Sequence, residues 1–250
     1  MPSIFHKLNA AKKLQPIIML SHMRANTSLF GHIIGNNPEI NGYYEMHIGY
    51  YSWKSLIRQK LKFLEKHYFK KESKYIFDKV LHDEHEVNCE MLLTHKAKII
   101  ISLRSPEETI PSIIKLYQEK VDSSHEFATF NGAAKYYKNR LNTLYEYSEI
   151  LKNEFIYLDA NDIKEKTEET LNYLQQELSL NTPLSTEYNI QNMTGIGESG
   201  DHSDNLKLGK ISHAKTDFSD IQINKEKMKE LEYDYNQIRN KIIEFQKNRK

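Results

Sequence analysis

Ser21-His22-Met23-Arg24-Ala25-Asn26-Thr27-Ser28 joins a short apolar run, Pro16 to Leu20, to a segment with helical spacing through Leu29, Ile33 and Ile34. A strand that ends in such a loop and enters a helix presents free backbone N–H groups and the positive end of a helix dipole, a place that favours anions. Arg24 adds a full charge and a planar fork for phosphate oxygens, while Thr27 and Ser28 add hydroxyl donors at the helix start. A capped helix with a surface arginine accounts for the same residues. A Walker loop needs Gly-x-x-x-x-Gly-Lys-Ser/Thr, and the segment has neither that lysine nor those glycines, which argues against an ordinary ATPase or kinase.

A second segment has the same logic. Lys98-Ile-Ile-Ile-Ser-Leu-Arg104-Ser-Pro106 runs from a strand candidate into a charge and then into a helix. Arg104 falls at the C-terminal end of that strand, where open α/β sheets bind ligands, and Pro106 suits the first turn of a helix. Ser112 lies eight positions after Arg104, about two helical turns on. A β-α connection with a solvated arginine is the plainer alternative.

These segments need a scaffold that brings them together. Short apolar runs alternate with stretches of helical period, the pattern of a parallel sheet covered by helices, so the fold class is α/β. Strands are expected at Pro16–Ser21, Tyr75–Phe77, Lys98–Leu103 and Phe155–Leu158, and helices over Asn139–Leu151 and Glu168–Leu178. Residues 192–210 are rich in Gly, Ser, Asp and Asn and read as a long functional loop. Over 224–247, Met228, Leu231, Tyr235, Ile238, Ile242 and Phe245 form one apolar stripe of a helix. Packing on its own domain is the first reading of that stripe, and a homodimer contact is the alternative.

With 250 residues, 39% of them hydrophobic, residues 1–250 suit a single domain with a sizeable core. Thirty-five Lys and Arg against 34 Asp and Glu give a net charge of +1, so no global field recruits nucleic acid or an anionic membrane and any anion site is local. One cysteine, Cys89, excludes an intramolecular disulfide and a cysteine-rich metal site and agrees with a reducing compartment. Met1 to Gln15 lacks the apolar core of a secretory signal, and no run approaches the ~18 apolar residues of a membrane span. A cytoplasmic protein without a membrane span is expected. His82 and His85 with Asp83, Glu84 and Glu86 form the densest cluster of potential ligands, and a solvated acidic helix start explains them without a metal.

Pro16-Ile-Ile-Met-Leu-Ser-His-Met-Arg24-Ala-Asn-Thr27-Ser28-Leu, followed by Asn37-Pro38-Glu39-Ile40, resembles the opening of sulfotransferases that use 3′-phosphoadenosine 5′-phosphosulfate (PAPS). Their loop usually reads Arg or Lys-Ser-Gly-Thr-Thr/Ser-Leu, with His or Asn-Pro-Glu/Asp-Ile/Val after the helix. Arg24, Thr27 and Ser28 match; Ala25 replaces Ser and Asn26 replaces Gly, asparagine being the non-glycine residue best able to adopt left-handed torsions. The Arg104 segment is similar to the family's 3′-phosphate-binding stretch, Lys-Ile-Ile-x-Leu-Arg-Asn-Pro with a Ser at the spacing of Ser112. Phe155-Ile-Tyr-Leu-Asp-Ala-Asn-Asp162-Ile163 with Thr170-Leu171 resembles the late strand and its Tyr-Glu-Asp-Leu turn, from which Asn161 and Ile163 depart. Gly200-Asp201 is similar to the Gly-Asp of the C-terminal cofactor loop, without the basic residues that usually precede it. The resemblance runs from Pro16 to Gly209.

It implies a three-layer P-loop-like fold, PAPS as co-substrate, adenosine 3′,5′-bisphosphate as product and no obligatory metal. Arg24, Ala25, Asn26, Thr27 and Ser28 would bind the 5′-phosphate, Arg104 and Ser112 the 3′-phosphate, and Gly200 and Asp201 would bind the cofactor from the C-terminal loop. Lys79, in an Asp78-Lys79 pair that similar sulfotransferases carry after this strand, would neutralise the departing oxygen. Glu45, in Gly42-Tyr-Tyr-Glu45-Met-His47 and 21 positions after Arg24, matches the catalytic Glu of tyrosylprotein sulfotransferases and is the first choice of general base. His47 and His82 are the alternatives. Tyr43, Tyr44, Tyr50, Tyr51 and Trp53 crowd around Glu45 and suit stacking on sugar rings as well as an ordinary core. A hydroxyl-bearing acceptor is implied, a glycan first, then a small hydroxylated molecule or lipid, and a protein tyrosine last. The rival from another class is a nucleotide-binding protein that keeps the fold without the chemistry.

Overall fold

The protein is represented by a computed structural model that describes residues 13–191, 194, 204–214 and 216–247. Its strands are β1 (Gln15–Leu20), β2 (Ile40–Asn41), β3 (Tyr75–Val80), β4 (Lys98–Leu103) and β5 (Ile156–Asp159). Its α-helices are α1 (Thr27–Asn36), α2 (Trp53–Lys66), α3 (Cys89–Thr94), α4 (Pro106–Lys120), α5 (Phe130–Leu151), α6 (Asp162–Glu165), α7 (Thr167–Glu177) and α8 (Lys225–Lys247).

The strands pair in the order β2-β3-β1-β4-β5, and every pairing is parallel. A parallel sheet needs cover on both faces, which is why its strands are near-continuous apolar runs. Side chains alternate across the sheet. Ile18 and Leu20 join one core with Phe63, Ile113, Leu141 and Ile242, whereas Ile17 and Met19 join another with Phe30, Ile33, Leu171 and Leu174. The sheet is thus the middle of three layers, with α1 and α7 on one face and α2, α4, α5 and α8 on the other. Leu20 aligns with Val80 on one side and Ile101 on the other, so β1, β3 and β4 end at one edge. The loops that leave that edge carry the residues singled out above.

All four expected strands form, β4 with the expected ends, β1 and β5 shifted by one residue and β3 extended to Val80. The two-residue edge strand β2 is too short to announce itself. Helix α5 begins nine residues before the expected Asn139, because Thr129 caps it by accepting from Gly132 N–H (3.2 Å) in a turn whose Asn and Gly hide the helical period. The acidic stretch Asp83–Glu86 does not open a helix. It is a turn, Val87 then pairs with Tyr50 in an isolated bridge, and α3 starts only at Cys89, capped by the Asn88 side chain. Of the long loop at 192–210, Gly200 and Asp201 lie outside the described residues, and Asp204–Leu208 forms a 3-10 turn.

Helix α8 lies against α5, with Met228, Leu231 and Ile242 buried. Arg239 forms a two-pronged pair with Asp159 at the end of β5. Its apolar stripe is therefore used inside the chain, as the first reading had it, and lends no support to a homodimer contact. No helix among the described residues is long and apolar enough to cross a membrane.

Candidate functional site

Between β1 and α1 the backbone turns through left-handed torsions at Arg24 (φ 62°) and Asn26 (φ 54°). Such a curl gathers successive N–H groups towards an anion. Asparagine serves where glycine is usual because its amide binds the surroundings: Nδ2 donates to the Ala160 carbonyl (2.9 Å) and to Asn161 Oδ1 (3.3 Å). It occupies the N-cap position of α1 without bonding its N–H groups, so its side chain does not consume the helix's donors. Ala25 is buried and Thr27 nearly so, while Arg24 and Ser28 stay partly accessible.

Arg104 closes β4 and faces this loop. Its Nη1 donates to the Arg24 carbonyl (2.9 Å), Nε to Asn161 Oδ1 (3.1 Å) and Nη2 to Glu108 Oε1 (3.3 Å). Arg24 returns the link through Nε to Ser112 Oγ (2.9 Å) on α4. The two predicted anion segments are therefore one structure, with Arg24 reaching from the first loop to the serine expected to serve the second. His22, fully buried, fixes their relative position. Its Nε2 accepts from Arg104 N–H (3.0 Å), which leaves Nδ1 to donate to the Met23 carbonyl (2.9 Å), and burial lowers its pKa to about 4, so the ring stays neutral.

Lys79 leaves β3 on the side of α1, and its Nζ donates to Ser28 Oγ at 3.1 Å and lies 3.4 Å from Thr27 Oγ1. Asp78 points to the other face, as strand alternation requires. There its carboxylate accepts from Met46 N–H (2.9 Å) and Tyr50 Oη (2.6 Å), which holds the segment carrying Glu45. Gly42 lets that segment cross β3: it has φ 84°, and a Cβ there would come within 2.4 Å of the Phe77 carbonyl.

Glu45 is 6% exposed, and its pKa is raised to about 7, chiefly by burial and against the pull of Lys79. His47 lies beside it, with Nδ1 3.9 Å from Glu45 Oε1. His82 packs against the Tyr136 ring, and burial lowers its pKa to about 4, which makes it a poor base near neutral pH. Arg24, Asn26, Thr27, Ser28, Glu45, His47, Lys79, His82, Arg104 and Ser112 all line one cavity of about 1370 Å³. That volume exceeds the roughly 300–1,000 Å³ of an ordinary ligand site and accommodates a nucleotide together with a second substrate.

Parallel strand order, loop and paired arginines can be set against known proteins. No family model matches the sequence, and no curated protein matches it. Solved structures do. A sulfotransferase domain from the curacin biosynthetic pathway superposes with a TM-score of 0.59 at 13% identity, covering 90% of this chain and 98% of that one. The fold is that of the sulfotransferases. The sulfotransferase domain of the Synechococcus PCC 7002 olefin synthase gives a TM-score of 0.56 at 13% identity, with 90% and 95% covered. Mouse sulfotransferase SULT7A1, complexed with PAP, gives 0.59 at 12% identity, with 96% and 93% covered.

Within this sulfotransferase fold, four positioning residues escaped the sequence reading. His22 and Asp78 were visible only as neighbours of Arg24 and Lys79. Asn161, noted as a departure from the family pattern, binds both Arg104 and, through Nδ2, Glu108 Oε2 (2.5 Å). Arg140 of α5 is wholly buried and donates to the carbonyls of Ser21 (2.8 Å) and Val80 (2.7 Å) and to Asp83 Oδ1 (2.7 Å), tying the ends of β1 and β3 together. A helical arginine gives no sequence signal for such a role. The tyrosines expected to stack on a sugar lie elsewhere: Tyr43, Tyr44 and Tyr50 are in the core, and Tyr51 and Trp53 are exposed outside the cavity lining.

Proposed function

We propose that the protein is a PAPS-dependent sulfotransferase. The observation that carries this reading is the cross-link of Arg24, Ser112 and Arg104, which joins the two candidate anion segments in a cavity that Lys79 and Glu45 also line. Two arginines, one from each loop, suit a nucleotide that carries a phosphate on both its 3′ and 5′ positions. Arg104, with Ser112, would hold the 3′-phosphate; Arg24, Thr27, Ser28 and the N-terminus of α1 would hold the 5′-phosphate. Gly200 and Asp201 remain proposed contacts from the resemblance alone.

In the transfer, the bond between sulfur and the bridging phosphate oxygen breaks as a bond from the acceptor oxygen to sulfur forms, by analogy with in-line phosphoryl transfer. Charge collects on the bridging oxygen, and Lys79, already at Ser28, is placed to stabilise it. The acceptor hydroxyl loses its proton to Glu45, whose raised pKa matches a base working near pH 7. No step needs a metal.

The acceptor is a hydroxyl compound. Leu116, Tyr117, Val121 and Phe127 supply an apolar side of the cavity, which suits a ring or acyl skeleton. Tyr43, Tyr44, Tyr50, Tyr51 and Trp53, the aromatic residues expected to stack on a glycan, do not line the cavity, so a small hydroxylated molecule or lipid takes first place and the glycan second. Radiolabelled sulfate transfer from PAPS to a phenol, a hydroxylated acyl chain and a glycan tests both the chemistry and the order. Transfer to none of them, together with tight binding of adenosine 3′,5′-bisphosphate, would favour the rival, a nucleotide-binding protein without catalysis.

A further inference from the structure

Glu45, His47 and His85 each offer one ligand atom, and these atoms all lie within 4.8 Å of one another. Two come from the loop after β2 and the third from the turn after β3, so only the folded chain assembles them. Glu45 is more than nine-tenths buried, and its Oε1 accepts no hydrogen bond. His85 Nε2 is also buried without a hydrogen bond; the nearest carboxylate oxygen, from Glu84, is 3.7 Å away. A buried acceptor left without a partner is costly, so each such atom needs an account. The His47 and His85 rings stand 5.8 Å apart between centroids at 65° to each other.

We propose that Glu45, His47 and His85 form a binding site for a zinc-class divalent ion, and that occupancy of this site switches sulfuryl transfer off. Two imidazoles and a carboxylate are a donor set that zinc accepts, with water as the fourth ligand. Magnesium and calcium, which demand oxygen ligands, are disfavoured. Ligand atoms around tetrahedral zinc sit roughly 3.3 Å apart given bonds of about 2.0–2.1 Å, so closing the site from its present span takes side-chain rotation of about an ångström. Lys79 beside Glu45, and Lys62, Arg58 and Arg140 around His85, oppose a dication, while Asp78 and Glu84 favour it. The excess of cations keeps the affinity below that of structural zinc.

The site itself does not depend on the catalytic reading; the inhibition does, because it rests on Glu45 being the base. A metal ion on the carboxylate takes the lone pair that would accept the acceptor's proton. Inhibition therefore lowers kcat and leaves PAPS binding intact.

The test titrates Zn²⁺ into the untagged, chelator-stripped chain by calorimetry, with Co²⁺ absorption reporting tetrahedral nitrogen and oxygen ligation. One equivalent should bind, and His85→Ala and His85→Gln, each checked for a wild-type melting curve, should weaken binding at least about tenfold. No binding at high micromolar Zn²⁺, or equal binding by the His85 variants, overturns the site. Metal-free transfer by His85→Ala should match wild type and resist Zn²⁺ that inhibits wild type. Stoichiometric binding to wild type without inhibition leaves the site standing and overturns both the switch and the assignment of Glu45 as base.

Discussion

Replacing Arg140 by Met perturbs the site without touching any residue that would meet a ligand. The guanidinium is fully buried and supplies donors to the Ser21 and Val80 carbonyls, at the ends of β1 and β3 from which the loops that carry Arg24 and His82 leave. Methionine fills similar space but donates nothing. The Ser21 carbonyl loses its side-chain donor at a cost of about 1–3 kcal/mol, the Val80 carbonyl keeps the Ser21 N–H (3.2 Å), and relief of the buried charge offsets part of the cost, leaving a net loss of about 2 kcal/mol. The third partner adds little, because the Asp83 side chain is 42% exposed; Asp83→Asn should cost under about 1 kcal/mol. Urea denaturation at equilibrium reads both numbers, with an unchanged slope showing that the unfolded state is the same. Since Ser21 opens the anion loop, the Arg140→Met protein should also bind adenosine 3′,5′-bisphosphate more weakly at temperatures where it is folded. A loss no larger than that of Asp83→Asn, with nucleotide affinity unchanged, would refute the clamp.

Three further outcomes follow from the site. Asn26→Val should lose nucleotide affinity and about 1–2 kcal/mol of stability, because a β-branched side chain resists the left-handed torsion, whereas Asn26→Gly should keep the loop; melting curves and nucleotide titration separate them. Lys79→Met should lower kcat by about 10²–10³ while shifting nucleotide affinity less than about tenfold, since its role falls on the leaving oxygen; steady-state kinetics with a parallel titration checks the split. In metal-free buffer, transfer should fall as pH drops through about 7, because burial keeps Glu45 protonated below that point, and should be about tenfold lower at pH 6 than its plateau. Glu45→Gln should abolish that limb together with most of the turnover.

The sequence made the sheet legible because both faces are covered: Ile17-Ile18 and Ile99-Ile100-Ile101 are apolar on each side, and Arg104 follows directly from such a run. The anion loop was legible for a related reason, since Arg24, Thr27 and Ser28 are local to one turn. What was not legible is what depends on contacts across the chain. His22 meets Arg104 82 residues away, and Arg140 meets Ser21 119 residues away; neither distance leaves a mark on local spacing. The tyrosines around Glu45 misled because aromatic residues serve cores and stacking platforms alike, and only burial separates the two. The acidic stretch after β3 misled likewise. Its charges suit a helix start, but the bridge between Tyr50 and Val87 holds the chain extended and delays the helix to Cys89.

The central claim is that Arg24, Arg104 and Ser112 make one pocket for two separated phosphates. Titration calorimetry with adenosine 3′,5′-bisphosphate and with adenosine 5′-monophosphate tests it directly, because the ligands differ only at the 3′ position. The bisphosphate should bind at least about tenfold more tightly, and Arg104→Ala should remove that advantage, in line with the roughly 1.5–3 kcal/mol of a charge-assisted contact. Equal affinity for the two nucleotides, or no binding of either at high micromolar concentration, would contradict it.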